Sequence, residues 1–474
     1  MNVCMLVKNS FEYDARVTKE AKALIEAGHQ VTVVAIHVPL VTKEREVTPE
    51  GIQVVRVSRL QFGLAALNRL AARGAAHVER RHTRLTGRPI DRHRAEKLGV
   101  LQPASTSTPG AHVPVVIPEE EPPAVPPSPL RRAWGSVSTA TLRGLFRLAQ
   151  AGYRSVRFLV GRQGLAVKTW AINRRFLEAA LATGADVYHA HDLNTLYVGT
   201  LCKRKTGAKL VYDSHELATG RNRMGPLWRA WCSYWEGRGI PQADAVIMAS
   251  PGYAHHAARR YRIPTPTVVR NVPERMEPDP RWDLRAKLGI PAHQRVLVYQ
   301  GSIQENRGIE QTIEAVTRLE DCVLVVIGYG YHRPALEALV RERGLEKSVR
   351  FFGPVPNDLL ISYTASGEVG MCPIINSSLS YYHSLPNKLY EYLMAGVPIV
   401  ASDFPEMGGL VREEQVGEVC DPSDPVSIAE AVRRVIDDPE AAARYRENAR
   451  EAVDRYNWSA ERQRLLEVYQ DLGR

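Results

Sequence analysis

The opening of the chain sets its fold. Asn2–Val7 is a short apolar run that fits a strand. Ala15–Ala27 follows with Val17, Ala21, Leu24 and Ile25 at helical spacing and Gly28 as a stop. Gln30–Ile36 is again apolar and rich in valine. Strands that do not alternate polar with apolar residues must be covered on both faces. Separated by amphipathic helices, they predict a parallel sheet layered with helices on both sides. The theme resumes at Asp186–His191, Lys209–Ser214 and Ala245–Ser250. A second series runs through Arg295–Gly301, Cys322–Gly328, Val349–Gly353, Val369–Ile374, Pro398–Asp403 and Gly417–Asp421. The predicted fold class is α/β: two facing, Rossmann-like, doubly wound domains with an interdomain cleft.

The domains are placed at residues 1–272 and 273–456. Asn271–Arg281, with Pro273, Pro278 and Pro280, reads as the linker between them. A last helix, Trp458–Leu472, is expected to pack back toward the N-terminal domain. Between the strand near Ile52–Val57 and the helix near Ala171–Ala182 the repeat breaks down, so residues 60–170 read as an insertion. Its stretch Pro103–Pro129 is proline-rich and reads as an extended linker.

Charge narrows the function classes. The 474 residues carry a net charge of +10, which at face value points to an anionic partner. The excess is local. Residues 56–97 sum to +8, residues 98–130 to −3 and residues 131–175 to +10. The rest of the chain is mildly acidic. No basic, aromatic-interleaved platform of the nucleic-acid-binding kind is present, so no nucleic-acid partner is expected. Within 131–175, Arg143, Arg147, Arg154 and Arg157 share a wedge of roughly 80° on a helical wheel. Leu142, Leu145, Phe146, Tyr153, Val156 and Val160 share a separate arc. That amphipathic pattern suits an anionic membrane surface, and equally a helix packed on the first domain with its arginines solvated. The first eight residues lack a basic region before a long apolar stretch, and no run is long enough to span a bilayer. The expected location is cytoplasmic, with peripheral contact to the inner face of the membrane. The six cysteines form no C-x-x-C pair, and Cys4, Cys322, Cys372 and Cys420 fall in strand-like runs, so buried structural thiols are expected.

Several segments carry chemistry. Gly328-Tyr329-Gly330 follows a strand, but Arg333 stands where a dinucleotide fingerprint has its third glycine. Gly301-Ser302-Ile303-Gln304-Glu305-Asn306-Arg307-Gly308 lacks the Gly-Lys-Ser/Thr of a P-loop. A helix starting near Asn306, with Arg307 beside it, would still offer amides and charge to phosphate; a solvated arginine fits the loop equally. In Tyr381–Asp403, Pro386 sets a helix start, and Lys388 and Glu391, three apart, share a face. Carboxylate and ammonium at such an end suit a nucleotide sugar, and an ordinary surface Glu–Lys pair fits the same spacing. His189, inside a strand, reads as a core residue; His191 and His215, at strand ends, read as cleft residues. No two histidines pair with carboxylates at a metal-ligand spacing, so no metal and no cofactor are expected. Asp192 and Glu216 fit helix caps as well as an acceptor site.

These segments together resemble the retaining glycosyltransferases of family 4, which have the GT-B fold. The resemblance covers most of the chain outside the insertion and is strongest at Leu385–Ser402. Glu391-Tyr392-Leu393-Met394-Ala395-Gly396-Val397-Pro398 matches the second half of the family's two-glutamate motif. The first glutamate falls at His383, in an S-L-P-N-K-L-Y-E-Y form that resembles a variant subgroup. The resemblance implies that Glu391 hydrogen-bonds the donor ribose and that His383, Ser384, Leu385, Asn387, Gly301, Ser302 and Gly328 line the donor site. It implies that His191, Arg307 and Lys388 act on the transferred sugar and its diphosphate. Ser302 replaces an arginine of the family pattern. Asp186-Val187-Tyr188-His189-Ala190-His191-Asp192 resembles its D-V-x-H-x-H-D/E segment, and Asp14-Ala15-Arg16-Val17 replaces its Gly-Gly loop. Asp14, Arg16, Asp192, His215 and Glu216 then fall on the acceptor side. The implied activity is metal-independent transfer of a sugar from a nucleotide sugar to a glycan or lipid-linked acceptor, with retention, in cell-surface glycan or glycolipid synthesis. A sugar-nucleotide epimerase and an inactive sugar-binding partner protein share this architecture and stand as the alternatives.

Overall fold

The computed structural model describes residues 1–58 and 168–474, apart from Tyr13 and Arg223. The proline-rich stretch and the amphipathic pattern at 142–160 lie outside the described residues. The N-terminal lobe is an eight-stranded sheet in the order β3-β4-β2-β1-β5-β6-β7-β8. Its strands are β1 (Asn2–Leu6), β2 (Gln30–His37), β3 (Arg45–Val47), β4 (Gln53–Ser58), β5 (Val187–His191), β6 (Lys209–Ser214), β7 (Ala245–Met248) and β8 (Thr267–Val268). Among the described strands only the β3–β4 pair is antiparallel. Without its short edge strands, the lobe has the 3-2-1-4-5-6 order of a doubly wound nucleotide-binding sheet. The long segment after β4 enters at the crossover from the third strand of that order to the fourth, and a helix over residues 168–181 leads on to β5. The strands are apolar because both faces are buried: β1 and β5 are almost wholly inaccessible along their lengths.

The C-terminal lobe repeats the design with six parallel strands in the order β11-β10-β9-β12-β13-β14. They are β9 (Arg295–Gln300), β10 (Cys322–Ile327), β11 (Val349–Gly353), β12 (Val369–Cys372), β13 (Ile399–Ser402) and β14 (Gly417–Cys420). Again the order is 3-2-1-4-5-6. All six cysteines are buried and free, and burial pushes the thiols up, Cys4 and Cys420 to about 12. They pack as small hydrophobes.

In an open sheet of this kind the ligand crevice lies where the strand order reverses, beyond the carboxyl ends. In the N-terminal lobe that point is flanked by the ends of β1 and β5, in the C-terminal lobe by the ends of β9 and β12. Backbone proximity shapes the second of these. Gly328 has a φ of +138°, and a Cβ there would stand 2.0 Å from the Gly301 carbonyl oxygen. A Cβ on Gly330 would stand 1.9 Å from that of Ile303. The pair that looked like half of a dinucleotide fingerprint is there because the loops after β9 and β10 lie against each other.

The lobes share apolar packing. One cluster runs from Val17 and Leu24 through Val269 and Val272 to Tyr390, Trp458 and Leu465. The helix Trp458–Leu472 lies on the helix Ala15–Glu26, with Arg462 2.9 Å from Glu26. Its buried Glu461 accepts from the Arg270 backbone and side chain at 2.8 and 3.0 Å. Deeper in the N-terminal lobe, Arg16 from the helix Ala15–Glu26 donates to both oxygens of Asp213 on β6 at 2.9–3.1 Å. It also lies 2.9 Å from Glu20, one turn along. Arg16, Glu20 and Asp213 are all buried.

Two stability predictions follow from this packing. Gly328→Ala should cost about 2–4 kcal/mol of unfolding free energy in urea titration, because neither φ nor space admits a side chain. Gly289→Ala, at a positive φ with open space around it, should cost only about 1 kcal/mol. Equal losses would remove the close-approach argument. Arg16→Met should cost about 3–5 kcal/mol by leaving buried carboxylates without their cation. A loss below about 1 kcal/mol would show that the guanidinium does not compensate them.

Candidate functional site

The strand ends of the N-terminal lobe carry a connected set of ionisable groups. His189 and His191 sit two apart on β5 and therefore on one face, their rings stacked 4.3 Å apart. His189 is fully buried, and its Nδ1 lies 2.9 Å from the Tyr469 hydroxyl of the closing helix. His191 is also buried, with only 2% of its side chain exposed. Its Nδ1 is 3.5 Å from Asp213 and 3.4 Å from His215 Nε2. His215 is the member that reaches the cleft, with 25% of its side chain exposed. It is held between Asp213 at 3.3 Å and Asp192 at 3.7 Å, and the Asp192 carboxylate also accepts from its backbone N–H.

The charge states follow from the geometry. Burial alone would lower the His215 pKa, but Asp192 and Asp213 outweigh it and hold it up at about 9. His189 has no such pair and is pushed down by burial and by His191. Burial raises Glu20 to about 7, the neighbouring Asp213 charge adding to it and Arg16 opposing. Asp213, despite its burial, is held low by Arg16 and His215.

The fold brings together histidines and carboxylates that show no metal-ligand spacing along the chain. Ligand atoms of Glu20, His189, His191 and Asp213 lie within 4.8 Å of one another. Glu20 comes from a helix, the histidines from β5 and Asp213 from β6, so spacing along the chain could not show it. Arg16 already sits on both carboxylates, which gives the cluster an internal cation.

On the opposing face, the loop after β9 and the start of the helix Asn387–Met394 come together. Pro386 is the N-cap of that helix, as its sequence position predicts. Lys388 is buried and its Nζ has no hydrogen-bond partner among the described residues. The ammonium lies 3.5 Å from the centroid of the Tyr299 ring, and a Cβ on Gly301 would stand 4.0 Å from it. Burial lowers its pKa to about 7, Arg307 pushing the same way. The Arg307 guanidinium lies 4.8 Å from the centroid of the Tyr381 ring. The expected helix start near Asn306 is displaced: the helix begins at Ile309 with Gly308 as its cap, so Arg307 precedes it on the loop. Gly308 is required there, since a Cβ would stand 1.7 Å from the Pro373 carbonyl oxygen.

Glu391 is not Lys388's ion-pair partner among the described residues. Its carboxylate accepts from Gln300 Nε2 at 2.5 Å, and Gln300 in turn accepts from Thr364. Burial raises the Glu391 pKa. Neither Gln300 nor Thr364 was singled out from sequence; a polar residue ending an otherwise apolar strand was the available signal.

The remaining candidates fall as follows. Asp14 caps the helix Ala15–Glu26 by accepting from the Val17 N–H, and Arg16 is committed to Asp213. Asp192 stands at the N-cap position of the helix Leu193–Thr206 without a side-chain cap bond. Glu216 caps no helix; it pairs with Arg221 at 2.8 Å. Gly301 and Ser302 are exposed on the loop. Ser384 donates to the Tyr381 carbonyl, and Leu385 packs on the shared core. His383 faces the N-terminal lobe: its carbonyl accepts from Ser250 at 2.7 Å, and its Nδ1 is 3.7 Å from Glu406. The cleft between the lobes has a cavity of about 420 Å³ lined by Asn9, Ser10, Asp14, Arg16, His215 and Asn387, among others. A smaller pocket beside it includes His191, Asp192 and His215.

Comparison with known proteins bears on both halves. The family model of glycosyl transferases group 1 matches residues 280–452, and that of the glycosyl transferase 4-like domain matches residues 104–272. Alpha-D-kanosaminyltransferase of Streptomyces kanamyceticus is 28% identical over 50% of this chain and 63% of its own length. D-inositol 3-phosphate glycosyltransferase of Thermobispora bispora is 27% identical over 62% of this chain and 74% of its own. Among solved structures, sucrose-phosphate synthase of Thermosynechococcus elongatus superposes with a TM-score of 0.65 at 18% identity, covering 100% of this chain and 99% of that one. Anabaena Alr3699/HepE, solved in complex with UDP, superposes at 0.58 and 14%, covering 99% and 100%. A glycosyl transferase 4-like model thus matches part of the first lobe and a glycosyl transferases group 1 model the second, on the two-lobed GT-B fold that the chain shares with these structures.

Proposed function

We propose that this protein transfers a sugar from a nucleotide-diphosphate donor to an acceptor hydroxyl with retention of configuration, in the synthesis of a cell-surface glycan or glycolipid. The observation that carries the reading is Lys388. A buried ammonium without a hydrogen-bond partner is costly to keep, and its place beside the Gly301 loop suits an anion that arrives with the substrate. A diphosphate there would meet Lys388, the neighbouring Arg307 and the loop amides, which together stabilise charge on the departing nucleoside diphosphate without a metal ion. Glu391, ending the same helical turn, accepts hydrogen bonds and suits ribose hydroxyls. The Anabaena neighbour solved with UDP-glucose supports a nucleotide sugar as donor.

The acceptor enters from the N-terminal lobe, where Asp14, Asp192 and His215 border the cavity. The acceptor hydroxyl attacks the anomeric carbon on the face the leaving group vacates. The bond from that carbon to the diphosphate oxygen breaks, its electron pair leaves with the nucleoside diphosphate, and the acceptor's hydroxyl proton passes to that departing phosphate oxygen on the same face. His215, held protonated between two carboxylates, places positive charge at the cleft wall, while His191 and Arg16 orient it from behind. A cytoplasmic-face location with a lipid-linked acceptor is part of the reading. It is supported by the basic sequence of residues 131–175 and by there being no described helix long and apolar enough to cross a membrane.

Calorimetry with UDP as probe tests the donor site. Glu391→Ala should weaken binding about tenfold to a hundredfold, the loss of charged hydrogen bonds. Lys388 in the free protein loses its proton above about pH 7, whereas a bound diphosphate favours the ammonium. Binding should therefore take up a proton, and affinity should fall between pH 7 and 9 by at most about tenfold per pH unit. Lys388→Met should weaken binding and abolish that slope. Unchanged affinity in both variants would overturn the assignment of this site.

A further inference from the structure

Among the described residues the Arg307 side chain makes no hydrogen bond or ion pair, and its Nε is buried without a partner. Arginine has many rotamers to lose, so a guanidinium held in one place needs something to hold it. The contact that does so is the face of the Tyr381 ring, whose centroid lies 4.8 Å from the guanidinium. Tyr381 belongs to a helix of four residues, Leu379–Tyr382. A helix this short has no stability of its own. Its place must come from what it touches.

What it touches belongs to the other lobe. Tyr253, on the helix Pro251–Tyr261, is 3% exposed. Its hydroxyl donates to the Ser380 carbonyl at 2.7 Å and lies 3.3 Å from the Ser380 hydroxyl. The backbone of Tyr253 is fixed in turn, its N–H donating to Ser250 Oγ, while the Ser250 hydroxyl donates to the His383 carbonyl. The surrounding contact is close. A Cβ on Gly220 would stand 3.1 Å from the Ser380 nitrogen and 3.3 Å from Leu379 Cβ. One on Gly252 would stand 2.2 Å from a Glu406 carboxylate oxygen and 2.5 Å from His383 Nδ1. The short helix thus meets Tyr253 through Ser380 and Arg307 through Tyr381. From it the chain runs on through His383 and Pro386 into the helix that carries Lys388 and Glu391.

We propose that Tyr253 is a positioning residue for the diphosphate site across the cleft. Its hydroxyl fixes Ser380 and with it the short helix, and the Tyr381 ring of that helix holds the Arg307 guanidinium where the diphosphate meets it. The inference rests on the donor-site reading, in which Arg307 is one of the cations, and adds that this cation is set in place by the N-terminal lobe.

Calorimetry with UDP on the full chain tests it. Tyr253→Phe removes one hydroxyl and should weaken UDP binding about threefold to tenfold, the worth of a buried hydrogen bond. Tyr381→Leu should weaken it by a similar factor through the lost ring contact, and Tyr381→Phe should restore most of that loss. Both tyrosines act on one guanidinium, so Tyr253→Phe with Tyr381→Leu should cost no more than the larger single change. In an Arg307→Met background, Tyr253→Phe should change UDP affinity no further. A tyrosine that served only the fold would act there as in the wild type, and that result overturns the proposal. So does unchanged UDP affinity in Tyr253→Phe while Lys388→Met still weakens binding, which leaves the donor-site reading standing. If neither Lys388→Met nor Arg307→Met weakens UDP binding, the donor-site reading fails and the role of Tyr253 with it.

Discussion

The Arg16–Asp213 pair is the contact on which the N-terminal half of the cleft depends. Two carboxylates, Asp213 and Glu20, are buried at the switch point of a parallel sheet, a position no isolated anion tolerates. The guanidinium makes it tolerable, bonding both oxygens of one and lying beside the other. Asp213, kept ionised, can then hold His215 at its outer edge and stand against His191. Helix Ala15–Glu26, β5 and β6 are thereby registered to one another by charge as well as by packing. The closing helix adds Tyr469, which bonds His189 from the far side, so the C-terminal residues of the chain help to orient histidines of its first lobe.

The C-terminal lobe solves the opposite problem. There the buried charge has no bonded carboxylate: among the described residues Lys388 has an aromatic ring beside it and no hydrogen-bond acceptor, with Glu391 attracting it only through space. Where one lobe brings a guanidinium onto its buried carboxylates, the other keeps its buried lysine beside an aromatic ring. Buried polar groups are almost always paired, and the Lys388 ammonium is one of the exceptions among the described residues. The same contrast separates Glu391 from Glu20: the first bonds a glutamine side chain and keeps acceptor capacity, whereas the second is enclosed by the protein's own cation. Close backbone contacts at Gly301, Gly308, Gly328 and Gly330 fix the loops around Lys388, so the site is rigid where charge is unbalanced.

The strands were legible because a strand covered on both faces carries an apolar run that nothing else in a short loop imitates. Gly28 and Pro386 were legible as helix stop and start for equally local reasons. Edge strand β3 escaped, being three residues long and largely exposed, and β8 has only two. What local sequence could not show was any relation set by the sheet's order. Arg16 meets Asp213 across 197 positions, and Glu391 meets Gln300 across 91. Reading Lys388 and Glu391 as partners rested on their spacing of three; burial and the Gln300 amide drew them apart. The same limit hid the grouping of His189 and His191 with two carboxylates. Glu20, one helical turn from Arg16, was its one local trace.

The place of residues 59–172 in the chain explains how a large insertion leaves both lobes intact. They fall at the crossover from the third to the fourth strand of the doubly wound order, the long connection that returns to the middle of the sheet. Loop closure costs grow only logarithmically with length, so lengthening an already long crossover alters the folding balance little. Register bears this out: β1 pairs in parallel with β2 on one side and with β5 on the other, without a break in either ladder. A segment added there is free to carry composition the sheet would reject, including the net positive charge that the remainder of the chain lacks. The helix Pro226–Gly239, with Leu227, Trp228, Trp231 and Tyr234 exposed, follows the same logic on a smaller scale. It lies in the connection between β6 and β7, where an outward face takes no part in the strand ladder. Charge and aromatic surface therefore accumulate in the connections, while the strand ends keep the geometry of the cleft.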